Sequence, residues 1–410
     1  MGGSARSRRG HRAWLVPVAG LVVLGWGVSA PTAAASGTSP APEPTPASSP
    51  SPTVLGPPEG APVDEVVGGT ELGATGVPLV ATSAPPLPTV DAQAWLVADV
   101  ESGDVLAAFS PHERRPPAST IKLLTALAVG DSLEPDETYV ATEADAAVEG
   151  SRVGLVSAQT YTVENLLHGL MLASGNDAAH AIAEAAGGQD YTVDLMNDEA
   201  TRLGAFDTTA VTPHGLDSPG QLSSAYDLAL IGRQALADET LSRLAATTDY
   251  DFPGTEGATF QIQNQNQLLG SYDGAIGLKT GFTTQAGHTF VGAVERDGRT
   301  LIATILGAEV RAEDAAASLF DWALTAPDPE PVGHLVAPDE VATLIETGEG
   351  DVLGRNPLDD YEDVLSSPGG SSEGVPTVVW LSLGAAVVAG GIGFALRRRP
   401  KKPGRYSTRR

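Results

Sequence analysis

A charge-free apolar stretch of 21 residues, 376–396, lies close to the C-terminus of the chain. As a helix it would be roughly 31 Å long, which matches the hydrocarbon core of a bilayer. Its four glycines are poor helix formers in water but common in spanning helices, so a buried core helix is the weaker interpretation. The stretch therefore predicts a transmembrane helix, and the globular part of the protein must be built from what precedes it.

Basic residues stand at both ends of the chain. Five follow the apolar stretch within six positions, so the positive-inside rule places the tail, residues 397–410, in the cytoplasm and the preceding residues outside. Residues 1–35 begin with four arginines, continue through an apolar run and end on three alanines, which is typical of a signal peptide. An uncleaved N-terminal anchor is the alternative. The sequence predicts a single-pass protein of the cell membrane with its main part extracellular.

Charge is distributed unevenly along the chain. The formal net charge is -27, and 12 of the 24 Lys and Arg residues lie in residues 1–35 and 397–410, whereas all 51 acidic residues lie between. So negative an extracellular part disfavours nucleic acid and other anionic polymers as partners. Cysteine is absent, so no disulfide contributes to stability and the hydrophobic core must suffice.

Two segments have a composition that does not build a core. Residues 36–88 are rich in Pro, Ser, Thr, Ala and Gly and predict a disordered stalk. Residues 327–375 are acidic and contain several prolines, and they predict a flexible linker that leads to the membrane. One globular domain, residues 89–326, is expected between them.

Hydrophobic periodicity predicts strands at both ends of this domain and helices in the middle. The predicted strands are residues 93–100, 105–109, 275–280, 288–295 and 300–307, with an Asp297-Gly298 hairpin turn. The predicted helices are residues 120–129, 162–173, 177–186, 192–203, 225–237 and 312–324. This order predicts an α+β fold, in which both ends of the domain form one antiparallel sheet with flanking helices and an inserted helical subdomain.

The chain is unusually poor in lysine. Residues 36–396 contain ten arginines but only Lys122 and Lys279, and lysine differs from arginine in that it can lose its proton near neutral pH. Ser119 lies three residues before Lys122 at the predicted start of a helix, where the two side chains share a face. A serine attacks a carbonyl only if a base takes its proton, and no histidine is placed to do so. We predict a nucleophile and base pair, with helix capping by Ser119 as the alternative.

For Lys122 to be a base, its pKa must fall from about 10.4 toward about 7. Desolvation and a second cation nearby could together lower it that far.

Two further motifs accompany this pair. Ser174-Gly175-Asn176 follows a predicted helix, and Lys279-Thr280-Gly281 ends a predicted strand. In this order, the three motifs resemble the signature of penicillin-binding proteins and class A β-lactamases. More specifically, the chain resembles the low-molecular-mass penicillin-binding proteins, which are serine D-alanyl-D-alanine carboxypeptidases. The segments that carry this resemblance are residues 114–122, 172–179, 212–216, 272–274, 277–283 and 286–287.

The resemblance implies a β-lactamase/transpeptidase-like fold and a role for each motif residue. Ser119 would attack the substrate carbonyl, Lys122 would take its proton, and Ser174 would relay a proton to the leaving amine. The substrate-binding residues implied are Asn176 for an amide, Lys279 and Thr280 for the terminal carboxylate, Gly281 for close backbone approach, Phe282 for the oxyanion hole with Ser119, and Arg311 near the carboxylate. A solvated helix start is the alternative for Arg311.

The implied substrate is a peptidoglycan stem peptide ending in D-Ala-D-Ala, and β-lactam antibiotics are the implied acylating inhibitors. A D,D-endopeptidase is an alternative. A class A-like β-lactamase is disfavoured, because no E-x-x-L-N segment lies between Ser174 and Lys279. A catalytically silent wall-binding or β-lactam sensor protein is a further alternative, against which the intact motifs argue.

The sequence predicts no cofactor and no metal site. Four histidines of the domain show no metal-binding spacing and are interpreted as structural: His112, His180, His214 and His288. Asp177, beside Asn176, is predicted to be a helix N-terminal charge rather than an acid catalyst.

Overall fold

The computed structural model describes residues 66–130, 132–325 and 330–347. The predicted signal peptide, the transmembrane helix and the basic tail lie outside these residues. Within them, no helix is both long and apolar enough to cross a bilayer.

Strands and helices follow the predicted order. The strands are β1 (Pro78–Val80), β2 (Ala94–Asp99), β3 (Asp104–Phe109), β4 (Thr138–Val140), β5 (Thr160–Thr162), β6 (Asp249–Pro253), β7 (Thr259–Gln263), β8 (Ala275–Thr283), β9 (Gly287–Arg296), β10 (Arg299–Ala308) and β11 (Gly333–His334). The helices are α1 (Lys122–Gly130), α2 (Glu143–Ala147), α3 (Val163–Met171), α4 (Asn176–Ala186), α5 (Gln189–Leu203), α6 (Ala225–Ala237), α7 (Glu239–Ala246), α8 (Ala312–Thr325) and α9 (Pro338–Thr347).

Both ends of the domain contribute to one seven-stranded sheet, which confirms the predicted α+β architecture. The strand order is β1-β3-β2-β10-β9-β8, β11 also pairs with β3, and the pairings are antiparallel. Asp297 and Gly298 both have positive φ, at 54° and 76°, and so form the predicted tight turn between β9 and β10. Strand β8 ends this order, and among the described residues it pairs with β9 alone.

The sheet is covered on both faces. Along β2, Trp95 and Val97 pack into a cluster with α8, while Leu96 and Ala98 face the larger cluster that includes α1, α3, α4 and α6. Successive side chains of a strand point to opposite faces, so β2 can be buried throughout without breaking its alternation. Helix α1 lies inside the larger cluster and brings the segment before it up against β8.

The ordered structure extends past both predicted limits of the domain. Residues 78–80, assigned from composition to the stalk, form β1 and pair with β3. Residues 333–334 and 338–347, assigned to the acidic linker, form β11 and α9. These elements are too short for their periodicity to be recognised among prolines and acidic residues. They are stabilised by packing on the sheet edge and on the helix surfaces that they cover.

Candidate active site

Ser119 lies in a 3₁₀ turn, Ala118–Ile121, that leads directly into α1. The turn is anchored from the sheet, because Thr289 Oγ1 on β9 donates a hydrogen bond of 2.9 Å to the carbonyl oxygen of Pro117. Ala118 has a φ of 49°, a conformation that costs a non-glycine residue free energy and persists only where the surroundings hold it. The backbone therefore fixes the position of a partly buried serine at the edge of the sheet.

Lys122 is fully buried, and three oxygens surround its Nζ. Ser119 Oγ is 3.0 Å away, Asn176 Oδ1 is 2.7 Å away, and the carbonyl oxygen of His214 is 2.5 Å away. The last two oxygens can only accept hydrogen bonds, so they take two N–H groups of the amine. In the neutral amine, the remaining position towards Ser119 holds the lone pair that can take the hydroxyl proton.

The surroundings favour this neutral form. Burial lowers the pKa of Lys122 well below its usual value, because the charged amine is desolvated. The positive charge of Lys279 lowers this pKa further, and the carboxylate of Asp177 offsets only part of the effect. Desolvation and a second cation are the two causes that were expected from the sequence to lower the pKa of Lys122.

Asn176 begins α4 and is held from both ends of its amide. Its Nδ2 donates to the carbonyl oxygen of Glu149 at 2.7 Å, which leaves Oδ1 directed at Lys122. Gly150 makes this approach possible, because a Cβ there would stand 2.6 Å from Asn176 Nδ2. In this structure Asn176 thus orients the base, and its predicted contact with a substrate amide stays a prediction.

Asp177 is fully buried, and its carboxylate organises the neighbouring loop. It accepts hydrogen bonds from the backbone N–H groups of Val153, Gly154 and Leu155, at 2.8 to 3.0 Å. Its oxygens are occupied in this way, and they are not available to activate water. The expectation that Asp177 is not an acid catalyst agrees with this geometry, although it anchors a loop as well as lying at the start of α4.

Ser174 lies between α3 and α4, is 2% exposed and has a φ of 56°. Within the described residues, no hydrogen bond joins its hydroxyl to Ser119 or Lys122. The structure brings Ser174 to the loop that carries Asn176, but its proton-relay role stays a prediction.

Lys279 lies on β8 and is also buried, with 1% of its surface exposed. Burial lowers its pKa to about 7. Its Nζ donates to the carbonyl oxygen of Thr280 at 3.1 Å, and no carboxylate in the described part of the chain forms an ion pair with it. A buried amine that lacks a counterion is suited to receive a carboxylate from a ligand.

The next residues of β8 come against the serine turn. A Cβ on Gly281 would stand 2.8 Å from the backbone nitrogen of Ser119, so only glycine permits this approach. Phe282 has 60% of its surface exposed, and its ring lies 4.7 Å from that of His288. The backbones of Ser119 and β8 therefore converge where the predicted oxyanion hole would lie.

Arg311 is not brought into this group. It lies just before α8 with a largely exposed side chain and forms an ion pair of 3.8 Å with Asp314. No hydrogen bond or ion pair joins it to Lys279 or Thr280 among the described residues. Its predicted contact with a substrate carboxylate remains untested.

Sequence reasoning missed the main-chain carbonyl groups of His214 and Glu149. Residues 212–216 contributed to the family resemblance, but a backbone acceptor leaves no signature in side-chain identity. The imidazole of His214 has a pKa lowered to about 4, chiefly by burial and then by Lys122, so the ring is neutral at pH 7. This residue therefore serves Lys122 through its backbone, without adding a charge.

A second group of ionisable side chains lies elsewhere in the domain. One ligand-type atom from each of His112, Asp207 and Asp227 lies within 4.8 Å of the others, a spacing that could hold a metal ion. The ring of His112 is already engaged, by Asp207 Oδ2 at 2.8 Å and by the carbonyl oxygen of Val67 at 3.1 Å. Asp227 accepts from Thr208 Oγ1 at 2.6 Å. We interpret the group as a hydrogen-bonded ion-pair network.

Comparison with known proteins settles the family. The profile described as D-alanyl-D-alanine carboxypeptidase matches residues 80–310. The chain belongs to this family. It is 45% identical over 257 residues to the D-alanyl-D-alanine carboxypeptidase DacB2 of Mycobacterium tuberculosis, a match that covers 61% of this chain and 88% of the relative. It is 37% identical over 235 residues to DacC of Escherichia coli, covering 54% of this chain and 58% of the relative.

Solved structures agree with this assignment. A D-alanyl-D-alanine carboxypeptidase from M. tuberculosis aligns with a TM-score of 0.61 and 44% identity, over 63% of this chain and all of that one. The Streptomyces K15 DD-transpeptidase aligns with a TM-score of 0.56 and 29% identity, over 58% of this chain and 99% of that one. The fold predicted from sequence resemblance is therefore confirmed.

Proposed function

We propose that the chain removes the terminal D-alanine of peptidoglycan stem pentapeptides through an acyl-enzyme formed on Ser119. The observation that carries the proposal is the contact of 3.0 Å between Ser119 Oγ and the buried amine of Lys122, whose pKa is lowered well below its usual value by burial and by the charge of Lys279. The family and its named carboxypeptidases support the same reaction.

Acylation begins when Ser119 Oγ attacks the carbonyl carbon of the penultimate D-alanine. The hydroxyl proton passes to Nζ of Lys122, and the negative charge of the tetrahedral intermediate falls on the former carbonyl oxygen. The close approach of Gly281 to Ser119 supports an oxyanion hole made by the backbone N–H groups of Ser119 and Phe282. Loss of one such donor typically costs two to three powers of ten in rate.

Collapse of the intermediate breaks the C–N bond and releases D-alanine, whose amine takes the proton of Lys122 through Ser174, so that Lys122 is neutral again. Lys279 and Thr280 hold the terminal carboxylate before this step, and that carboxylate raises the pKa of Lys279 once it is bound. Water then attacks the ester carbonyl, Lys122 again accepts a proton, and the shortened stem leaves with Ser119 restored. Bonds and protons balance over the two halves of this hydrolysis.

β-Lactams would acylate the same serine, and the resulting ester would be hydrolysed slowly. Rapid hydrolysis of such an ester needs a carboxylate poised to activate water. The acid that influences Lys122, Asp177, is engaged by the backbone of residues 153–155. The arrangement therefore favours a penicillin target over a β-lactamase.

The direct test is to incubate the full-length protein with a pentapeptide stem and measure free D-alanine. The wild type is expected to release D-alanine and to be labelled by a fluorescent penicillin, and Ser119→Ala is expected to do neither. Labelling without D-alanine release would overturn the carboxypeptidase assignment. Cleavage of a cross-linked D,D-dimer in preference to the pentapeptide would identify an endopeptidase instead.

The same proposal places the catalytic domain outside the cell. Residues 1–35 have the composition of an export signal, and residues 376–410 have that of a membrane-spanning helix followed by a basic tail. Anchoring would hold the domain near newly exported cell-wall precursor. Protease treatment of intact cells should release a labelled domain into the medium, and a domain that stays protected until the cells are lysed would contradict this location.

A further inference from the structure

A pocket of about 210 Å³ lies between the loop after His214 and the turn after β8. Its lining includes Pro116, Asp217, Pro219, Gln221, Leu222 and Gln285. Pro116 precedes Ser119 by three residues, and Gln285 follows the end of β8 by two. The pocket is therefore lined in part by the segments that adjoin the serine turn and the end of β8.

The walls of this pocket are fixed by hydrogen bonds. Gln221 is 3% exposed, its Oε1 accepts from the backbone of Thr212 at 2.8 Å, and its Nε2 donates to the carbonyl oxygen of Leu216 at 2.8 Å. Across the pocket, Thr283 Oγ1 on β8 donates to Asp217 Oδ1 at 2.7 Å. The loop is thus tied both to itself and to the strand that carries the reactive centre.

Asp217 is the one charged side chain among the residues that line the pocket. The described residues form no ion pair with it, and its carboxylate is directed across the opening towards β8. Asp217 is exposed, and an unpaired carboxylate at the rim of a pocket attracts a cation and repels an anion. Because Thr283 occupies one oxygen as a donor, the second oxygen is left for a ligand.

One edge of β8 pairs with no strand among the described residues, and it would set the path of a bound peptide towards this pocket. With the terminal carboxylate at Lys279 and the reacting carbonyl at Phe282, an extended substrate runs antiparallel to β8, and its preceding residue lies about 3.4 Å further along, beside Thr283. A lysine-like side chain has a flexible four-carbon stem, so its amine can reach Asp217 from that position.

We propose that this pocket is a specificity subsite for a primary amine on the side chain of the residue that precedes the reacting D-alanine, with Asp217 as its ionic partner. Thr283 orients the carboxylate, and Gln285 at the rim can accept a further hydrogen bond from the amine. The subsite rests on the proposed carboxypeptidase function and selects among its substrates. It favours stems with a free diamino side chain over stems in which that amine is acylated.

The test compares two substrates that differ at this amine alone. Both are Nα-acetyl-L-lysyl-D-Ala-D-Ala, and in one the ε-amine is also acetylated. The full-length wild type is expected to show kcat/KM about fivefold higher for the free amine, the size of effect that a partly exposed ion pair supplies. Added salt should reduce this preference, because such a pair is screened.

The decisive variant is Asp217→Asn, which keeps a hydrogen-bond acceptor for Thr283 but removes the charge. It is expected to treat both substrates alike, while Asp194→Asn, an exposed carboxylate on α5, should keep the wild-type preference. Equal rates in the wild type, or a preference retained by Asp217→Asn, would overturn the subsite. Absence of D-alanine release from both substrates would instead contradict the carboxypeptidase function.

Discussion

The domain buries ionisable groups in two places, and the two differ in how charge is balanced. In the active site, the amines of Lys122 and Lys279 are both buried and lack a carboxylate partner among the described residues, and a charge on Lys279 lowers the pKa of Lys122. In the network of His112, Asp207 and Asp227, opposite charges face each other at hydrogen-bonding distance.

The pKa values move in directions that reflect this difference. Burial lowers both lysine pKa values, and for Lys122 the second lysine adds to the effect. Burial also acts to lower the pKa of His112, but Asp207, the charge of Asp227 and the hydrogen bond to the Val67 backbone together outweigh it, and the pKa is raised. Burial and then the charge of Asp207 raise the pKa of Asp227. The two buried lysines without an ionic partner belong to the proposed catalytic site. The buried groups that have ionic partners, around His112, connect separate segments of the chain.

The structural role of the network follows from its connections. His112 contacts Val67 near the start of the described chain, and its ring lies 4.5 Å from that of Tyr226 on α6. The Tyr226 hydroxyl donates to the carbonyl oxygen of His334 at 2.9 Å. The network therefore joins both terminal extensions of the domain to α6.

The largest expected effect comes from removing the base. Lys122→Met should slow acylation by fluorescent penicillin by about two to four powers of ten, because proton transfer from Ser119 loses its acceptor. Lys122→Arg places a permanent positive charge at this position and cannot act as a base, so it should be equally slow. Stopped-flow or gel-based labelling rates would measure both. An acylation rate within tenfold of the wild type in either variant would show that Lys122 is not the base.

Lys279→Met should make the protein more stable and less active. The native pKa of about 7 lies below the unfolded value of about 10.4, so at pH 7 and above the unfolded chain binds more protons at this site than the native state does. Relief of this penalty should raise the free energy of unfolding by about 2 to 4 kcal/mol at pH 7, as measured by urea denaturation.

The sign of the pH dependence provides the control for this variant. Between pH 7 and about 10.4 the wild type gains stability with rising pH, because its unfolded state binds more protons across that range. The advantage of Lys279→Met should therefore shrink towards pH 10. A variant that is less stable than the wild type at pH 7 would mean that Lys279 has a counterion in solution.

His112→Ala should have the opposite effect, with lost stability and retained activity per folded molecule. Removing one partner of a mostly buried charge pair leaves Asp207 and Asp227 uncompensated, and we expect a loss of about 2 to 3 kcal/mol in urea denaturation. The raised pKa of His112 means that this contribution is present below pH 6.5 and declines as the pH rises through the native value. A variant with full stability and lost acylation would reverse the roles of the two regions.

The smallest effect concerns the shape of the pH profile. Lys122 must be neutral and Lys279 charged, so kcat/KM should be bell-shaped, with an alkaline limb near pH 7 from Lys279 in the free enzyme. Arginine stays charged over this range, so Lys279→Arg should lose the alkaline limb whatever its absolute rate. An unchanged limb in the variant would assign it to another group.

The sequence predicted the parts of this account that depend on side-chain identity. The lysine-poor composition singled out Lys122 and Lys279, and α6 was predicted with its observed ends, 225–237, because Ser224 caps it. The terminal strands β1 and β11 could not be predicted, since their few residues gain stability only from the sheet edge that they cover.

In the active site, too, some contacts could not be predicted from side-chain identity. The role of His214 depends on a backbone carbonyl oxygen that reaches Lys122 across 92 residues of sequence, and no residue pattern encodes such a contact. Asn176 was identified by its motif, but its orientation towards Lys122 depends on Glu149 and Gly150, which lie in a loop without periodicity. Tertiary contacts thus supplied what local sequence could not.

The most direct test of the central claim is to locate the covalent bond. Protein treated with benzylpenicillin and digested with trypsin should carry the adduct on the peptide of residues 115–122, in which Ser119 is the sole serine. The adduct should be absent from Ser119→Ala. An adduct that persists in that variant, or that maps to a peptide containing Ser174, would contradict the assignment of Ser119 and Lys122 as nucleophile and base.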